Sequence, residues 1–292
     1  MVVTNHNVGK GACEYAYMNT VLFHLRELLP SDDYKLILSC VSPEALHKGD
    51  DVEFDSSKKN IVIAISDEWS SAPSKKYIDN AFLIFKCYVT KDILEKYDNV
   101  YPFPLGYNQK FKAISPVVPI DKRNLDIFFA GHCFGGSRRQ QEMKPVLKML
   151  GLGEESNLEI KDTGIRSAVT RTKGFNSGYE GNEYSKLMCQ SKIALCPHGN
   201  VSSESFRYYE AAKAGCVIIS PPLPQHDLYT NTGAIQLSNW VEDIEYTIKD
   251  LLSNERKLKK LHQKTLNDWA NRYSEKSAAE YIYSKVKKLS IS

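Results

Sequence analysis

The chain has 292 residues, 42% hydrophobic and 25% charged, which is long for one domain, ordinary for two, and typical of a globular protein. A net charge of +3 is too small to point to nucleic acid, and no apolar run approaches the ~20 residues that cross a bilayer. The start lacks a signal-peptide pattern, and the seven cysteines, with no CxxC pair, read as reduced core thiols instead of disulfides or zinc ligands, so a cytoplasmic protein is expected.

In chain order, Val2 to Asn5 predicts a short strand, Asn7 to Gly11 a flexible loop, and 12–29 an apolar-periodic helix stopped by Pro30. The GKG triplet lacks the spacing of a Walker phosphate loop, and NVGKG is not the GxGxxG dinucleotide pattern. His6 and Glu14 lie where a base could reach a cleft, although a loop or helix-cap role is the plainer one. Tyr34 to Val41 and Asn60 to Ile65 predict strands; Asp67 and Glu68 follow the second at its carboxyl end, the edge that faces a crevice in a parallel sheet. Both are therefore candidates for a general base, with a turn cap and an exposed carboxylate as the alternatives. Ala81 to Val89 reads as a strand, Lys91 to Lys96 as a short helix, and Pro102 to Asn108 as an irregular segment. Phe111 to Arg123 reads as a linker, so 1–120 is taken as one α/β domain and 121–270 as a second.

Leu125 to Ala130 opens the second domain as a strand, followed by the Gly-rich GHCFGGSRRQ with Ser137 as N-cap of a helix over 138–150. Arg138 and Arg139 sit at that helix start, where an anion is a natural partner; Arg138, nearer the cap, is the better placed, and two solvated arginines are the alternative. The stretch 159–181 is basic with too little pattern to assign, and 182–190 predicts a short helix. Then comes SKIALCPHGNVSSESFRYYEAAKAGCVIIS (191–220), a strand (Ile193 to Cys196), a small-residue turn, a helix (Glu204 to Ala214), a Gly stop and a second strand (Val217 to Ser220). Strands joined by such a crossover run parallel, so the HGNVSS loop sits at the sheet's carboxyl edge just before a helix N-terminus, a setting suited to an anion such as a diphosphate. His198, Gly199, Asn200, Ser202 and Ser203 form the loop, with Ser203 expected as N-cap and Ser202 as the alternative. Glu204, Arg207 and Glu210, spaced i, i+3, i+6, share a helix side; a cation in a first turn opposes the helix dipole and implies an anion to hold, unless these are solvated pairs. His226 and Asp227 in the Pro-rich PPLPQHDLY are further polar contacts or a plain turn. The chain closes with amphipathic helix over 239–252 and a long helical stretch over 255–290, broken near Tyr273-Ser274. Arg256 to Lys288 holds ten Lys/Arg against three Asp/Glu, read as a solvated face or, more sharply, as attraction to an anionic membrane surface.

The 191–220 stretch is similar to the donor-site signature of exostosin-like glycosyltransferases, in which a strand and a Pro-Gly turn precede a helix that carries Arg and Glu and ends in Ala-Gly-Cys. IFFAGHCFGGSRRQ and QLSNWVEDIEYTIKDLL extend the resemblance over about Asp126 to Trp269; the first half does not share it. It implies a GT-B fold, two Rossmann-like domains with parallel sheets facing an interdomain cleft, and a closing helix (271–292) returning to the first. It also implies transfer of a sugar from a nucleotide diphosphate sugar to an oligosaccharide or lipid-linked acceptor, as in bacterial surface polysaccharide synthesis. Glu210 is then expected to accept from donor hydroxyls, the ribose above all. If the reaction inverts, as in exostosin-like members, the candidate bases rank Asp67, Glu68, Glu14, His6.

The leaving diphosphate needs positive charge. No Asp-x-Asp metal pair occurs in the sequence, so Arg207, Arg138 and helix N-termini are expected to supply that charge with no metal or other cofactor. Alternatives are a fucosyltransferase-like enzyme, which would place Lys where this chain has Arg207, and a carbohydrate- or nucleotide-binding module without catalysis.

Overall fold

A computed structural model describes residues 2–6, 13–29, 32–40, 52–153, 160–172 and 178–291. The Asn7 to Gly11 loop lies outside the described residues.

The first half is a five-stranded sheet. Strand β1 (Val2–His6) leads to helix α1 (Tyr15–Leu28), then β2 (Tyr34–Cys40), β3 (Lys59–Ile65), α2 (Lys75–Asn80), β4 (Leu83–Lys86), α3 (Lys91–Lys96) and β5 (Val100–Pro102). The strands lie in the order β1-β2-β3-β4-β5, every neighbouring pair parallel. Apolar runs in β3 and β4 follow from burial on both faces: Ile61, Ile63 and Ile65 pack with α1 in one core cluster, while Val62 and Ile84 pack with Tyr77 and Ile93 in another.

The second half is a six-stranded sheet. It contains β6 (Leu125–His132), α4 (Arg138–Met149), β7 (Ile160–Asp162), β8 (Arg166–Thr172), α5 (Gly181–Cys189), β9 (Ser191–Leu195), α6 (Phe206–Ala214), β10 (Val217–Ser220) and β11 (Ile235–Gln236). The order is β11-β10-β9-β6-β8-β7, parallel except at the β7 edge, which pairs antiparallel with β8. That antiparallel edge departs from the all-parallel expectation. Helices α7 (Trp240–Ser253) and α8 (Glu255–Asp268) follow, then a π-turn over 269–273 and α9 (Glu275–Ile291).

Helix α9 returns to lie against α1. Tyr17 on α1 donates its hydroxyl to the Tyr273 carbonyl at 2.8 Å, and Lys213 on α6 pairs with Glu275 at 2.8 Å. One apolar cluster runs through both halves, from Tyr17 and Phe85 to Tyr208 and Tyr273, so the two sheets are fixed with their carboxyl edges toward each other. No described helix is long and apolar enough to cross a membrane.

Candidate functional site

The facing sheet edges enclose a cleft of about 750 Å³. Glu68 and Tyr88 line it from the first half; from the second come Ala130 to His132 at the end of β6, Arg139, residues 199–202, and Glu204 to Arg207. This is the edge at which open α/β sheets bind ligands.

Helix α6 starts two residues later than the sequence pattern suggests. Ser205 is its N-cap, extended at φ −159° and ψ 157°, and no side chain caps the helix. The reason lies in the preceding serines: Ser202 Oγ accepts from Glu204 N at 3.1 Å, and Ser203, expected as the cap, donates instead to the Pro222 carbonyl at 2.7 Å. Phe206 and Arg207, whose N–H groups begin the helix and lack an intrahelical partner, therefore line the cleft, beside a Ser205 hydroxyl that is buried without a partner. Gly199 makes the turn possible. Its N–H bonds the Ser202 carbonyl at 2.7 Å, and a Cβ there would stand 2.8 Å from that same oxygen.

Arg207, 8% exposed, reaches from the first turn of α6 to the end of β6. Its Nη2 and Nε donate to the Ala130 carbonyl at 2.7 and 3.2 Å, and its guanidinium lies 4.7 Å from the Phe129 ring centroid. Nη1 is buried with no partner. A Cβ at the neighbouring Gly131 would overlap Nη2, so a side chain there would displace the guanidinium.

The second arginine of the cleft is Arg139, not Arg138. Arg138, at the first position of α4, points outward with a 70% exposed side chain and pairs with Glu142 at 3.4 Å. Arg139 turns inward, donating to the His198 carbonyl at 2.6 Å and the His132 carbonyl at 2.9 Å. Burial, then repulsion from Arg207, lowers its pKa to about 10. His198 is scaffolding and does not line the cleft. Its N–H donates to Glu142 Oε2 at 2.9 Å and its Nδ1 is bonded to Oε1 of the same buried carboxylate, which anchors the loop to α4. Asn200 spans the mouth, its Nδ2 donating to Glu68 Oε2 at 2.7 Å.

The carboxylates separate by environment. Asp67 is fully buried in an ion pair with Lys86 at 3.0 Å and accepts from Ser71 N at 2.7 Å, so it faces the protein interior and is no cleft base. Glu68 is half-buried and lines the cleft. Glu14 is the N-cap residue of α1, buried, and accepts from Ser66 Oγ; burial raises its pKa. His6 ends β1, and its side chain lies outside the described residues. Glu204, displaced from the helix, is 2% exposed. Its Oε1 accepts from the Tyr209 and Tyr229 hydroxyls while Oε2 has no partner, and burial raises its pKa to about 7 against those hydroxyls and the Lys86 charge. Both oxygens of Glu210 are already engaged: Oε1 accepts from Asn108 N at 3.1 Å and Oε2 from the Tyr184 hydroxyl at 2.6 Å, which ties the segment after β5 and α5 to α6. His226 is buried behind Tyr229, and burial lowers its pKa to about 4.

The sequence pattern missed Tyr88, held at φ +52°, along with the orphaned Nδ1 of His132 and the hydroxyl of Ser205. A positive φ on a tyrosine has no sequence signal; the serine was hidden by three competing caps in SSES. Among the described residues, no group of three His, Cys, Asp or Glu is placed to hold a metal ion.

No family model matches the chain, and no curated protein matches it. Solved structures do. AviGT4, a glycosyltransferase involved in avilamycin A biosynthesis, superimposes with a TM-score of 0.54 at 11% identity over 99% of this chain and 98% of its own. TarM gives 0.54 at 10% identity over 90% of this chain and 57% of its own, so the chain spans little more than half of TarM. A glycosyltransferase from Rickettsia africae gives 0.50 at 12% identity, over 98% and 97% of the two chains. With two α/β sheets facing across a cleft, this chain has the GT-B fold.

Proposed function

We propose that this chain is a glycosyltransferase that takes its sugar from a nucleoside diphosphate sugar, with residues 121–270 holding the donor and residues 1–120 the acceptor side. One observation carries the reading. Arg207 lines the cleft at the start of α6, next to Arg139, and its buried Nη1 has no partner. Two guanidinium groups and a helix N-terminus in one place repel each other unless an anion joins them, and a diphosphate has the charge and the acceptor oxygens to do so. The same three groups stabilise a departing nucleoside diphosphate. A structure of S. aureus TarM, of this fold with a TM-score of 0.53, contains UDP, which supports a nucleotide in this cleft. Among the described residues, Glu68 is the first-domain carboxylate that lines the cleft, and so the candidate base for an inverting transfer. The finer likeness to exostosin-like enzymes rests on residues 191–220, as do an oligosaccharide or lipid-linked acceptor and a role in surface polysaccharide synthesis. The basic stretch from Arg256 to Lys288 is the part suited to peripheral contact with an anionic membrane.

Thermal-shift measurements against UDP-, GDP-, CMP- and dTDP-sugars test the proposal. One UDP- or GDP-linked sugar should stabilise the wild type, Arg207→Ala should abolish the shift, and excess chelator should leave it and turnover intact. A shift retained by Arg207→Ala removes the assigned role, and turnover lost to chelator and restored by manganese contradicts the metal-free reading.

A further inference from the structure

The cleft is electrostatically two-ended. Its cationic end consists of Arg207, Arg139 and the start of α6; Lys110, the other basic residue lining it, is exposed and lies against Gly181, next to Glu180. Carboxylates gather around Tyr88. Glu68 and Glu204 line the cleft with it, and Glu14 lies behind, held by the hydroxyl of Ser66 two residues before Glu68. After burial, the negative charges of Glu68, Glu204 and Glu14 are among the causes that push the Tyr88 phenol well above its ordinary range, so all three act on one hydroxyl.

One cleft-lining carboxyl group has an oxygen that the chain does not satisfy. Glu204 Oε2 has no hydrogen-bond partner, on a side chain that is 2% exposed. Buried carboxyl oxygens are ordinarily bonded, and a hydroxyl or ammonium donor is what completes them. The Lys86 ammonium is already engaged, by Asp67 at 3.0 Å and by the Cys87 carbonyl at 3.0 Å.

We infer that the Glu68 and Glu204 end of the cleft takes an acceptor residue presenting hydroxyl or amine donors and no negative charge, and rejects one bearing a carboxylate, sulfate or phosphate beside the reacting hydroxyl. The inference rests on the transferase reading and adds the chemical class of the acceptor. Like charge brought into a partly buried site costs binding steeply, so an anionic acceptor residue loses about tenfold or more in affinity.

Three trisaccharides of matched size test it by calorimetry at pH 7 on the full chain: neutral chitotriose, the cationic glucosamine trimer and anionic trigalacturonate. Each is titrated with UDP or GDP present, whichever the protein binds when titrated alone. The glucosamine trimer should bind best, chitotriose next, and trigalacturonate at least about tenfold more weakly. Glu68→Gln should narrow the gap between the charged sugars by about tenfold. Trigalacturonate binding as tightly as the glucosamine trimer, or an order unmoved by Glu68→Gln, overturns the inference. So does failure of all three to bind a protein that does bind nucleotide. A protein that binds neither UDP nor GDP overturns the transferase reading, and the inference with it.

Discussion

Arg207 reaches its place because residue 131 has no side chain. Gly131→Ala should therefore push the guanidinium off the Ala130 carbonyl and weaken nucleoside diphosphate binding by more than about tenfold, the equivalent of one lost charge-assisted hydrogen bond. Calorimetry checks it, and affinity equal to wild type would show that Gly131 does not position Arg207. Glu204 carries a pH signature. Burial raises its folded pKa to about 7 from 4.5, so the proton is bound more tightly in the folded state. Its stabilising contribution is full below the unfolded value and is lost as pH rises through about 7, on the order of 3 kcal/mol at most. The urea midpoint of the wild type should fall between about pH 5 and about pH 8 more steeply than that of Glu204→Gln; equal slopes would contradict a buried, raised carboxyl. Residue identity was the harder part to read in the sequence. RR at a helix start announces an anion partner, but which arginine turns inward depends on the carbonyls of His132 and His198, which the fold brings from a neighbouring strand and loop. Likewise nothing adjacent to Asp67 marks it as the partner of buried Lys86 on the next strand.

At the level of elements, the β9-α6-β10 unit is the most legible in the chain. Its apolar strands, its Gly stop and its small-residue turn all agree with one another. Gly215 takes φ +70° as the residue ending α6, where its N–H and that of Cys216 bond the Ala212 and Ala211 carbonyls. A Cβ there would stand 2.8 Å from Leu266 and 3.0 Å from His262 on α8. Gly215→Ala should cost about 1–3 kcal/mol, read as a lowered urea midpoint, through backbone strain and that contact together. A midpoint unchanged from wild type would show that α8 gives way freely. Strand β8, by contrast, escaped the sequence pattern. RSAVTRT is polar, yet six of its seven residues are buried between β6 and β7, so neither the alternation of a half-exposed strand nor an apolar run marks it. The late start of α6 was illegible for a different reason: each of Ser202, Ser203 and Ser205 is a competent cap, and only tertiary contacts, such as Pro222 for Ser203, decide among them.

For the whole molecule, two α/β units were readable from the spacing of strands and helices, and their facing arrangement only from the resemblance, whereas the grip between them was not. That grip is a set of long-range contacts. Asn200 bonds Glu68 across the mouth, Asn108 of the segment after β5 bonds Glu210, and Tyr107 and Lys213 converge on Glu275 of the closing helix, with the Lys213 ammonium 3.7 Å from the Tyr107 ring centroid. Together they fix the Arg207 end of the cleft opposite the Glu68 end, and donor and acceptor can react only if both ends are held in register. The most direct measurement is a crystal structure of the protein soaked with UDP and, separately, with GDP. One of the two should place its phosphates within hydrogen-bond distance of Arg207 Nη1 and the first N–H groups of α6, with Arg139 alongside. Phosphate density elsewhere on the molecule, or Arg207 Nη1 closed over by protein carboxylates in the soaked crystal, would contradict it.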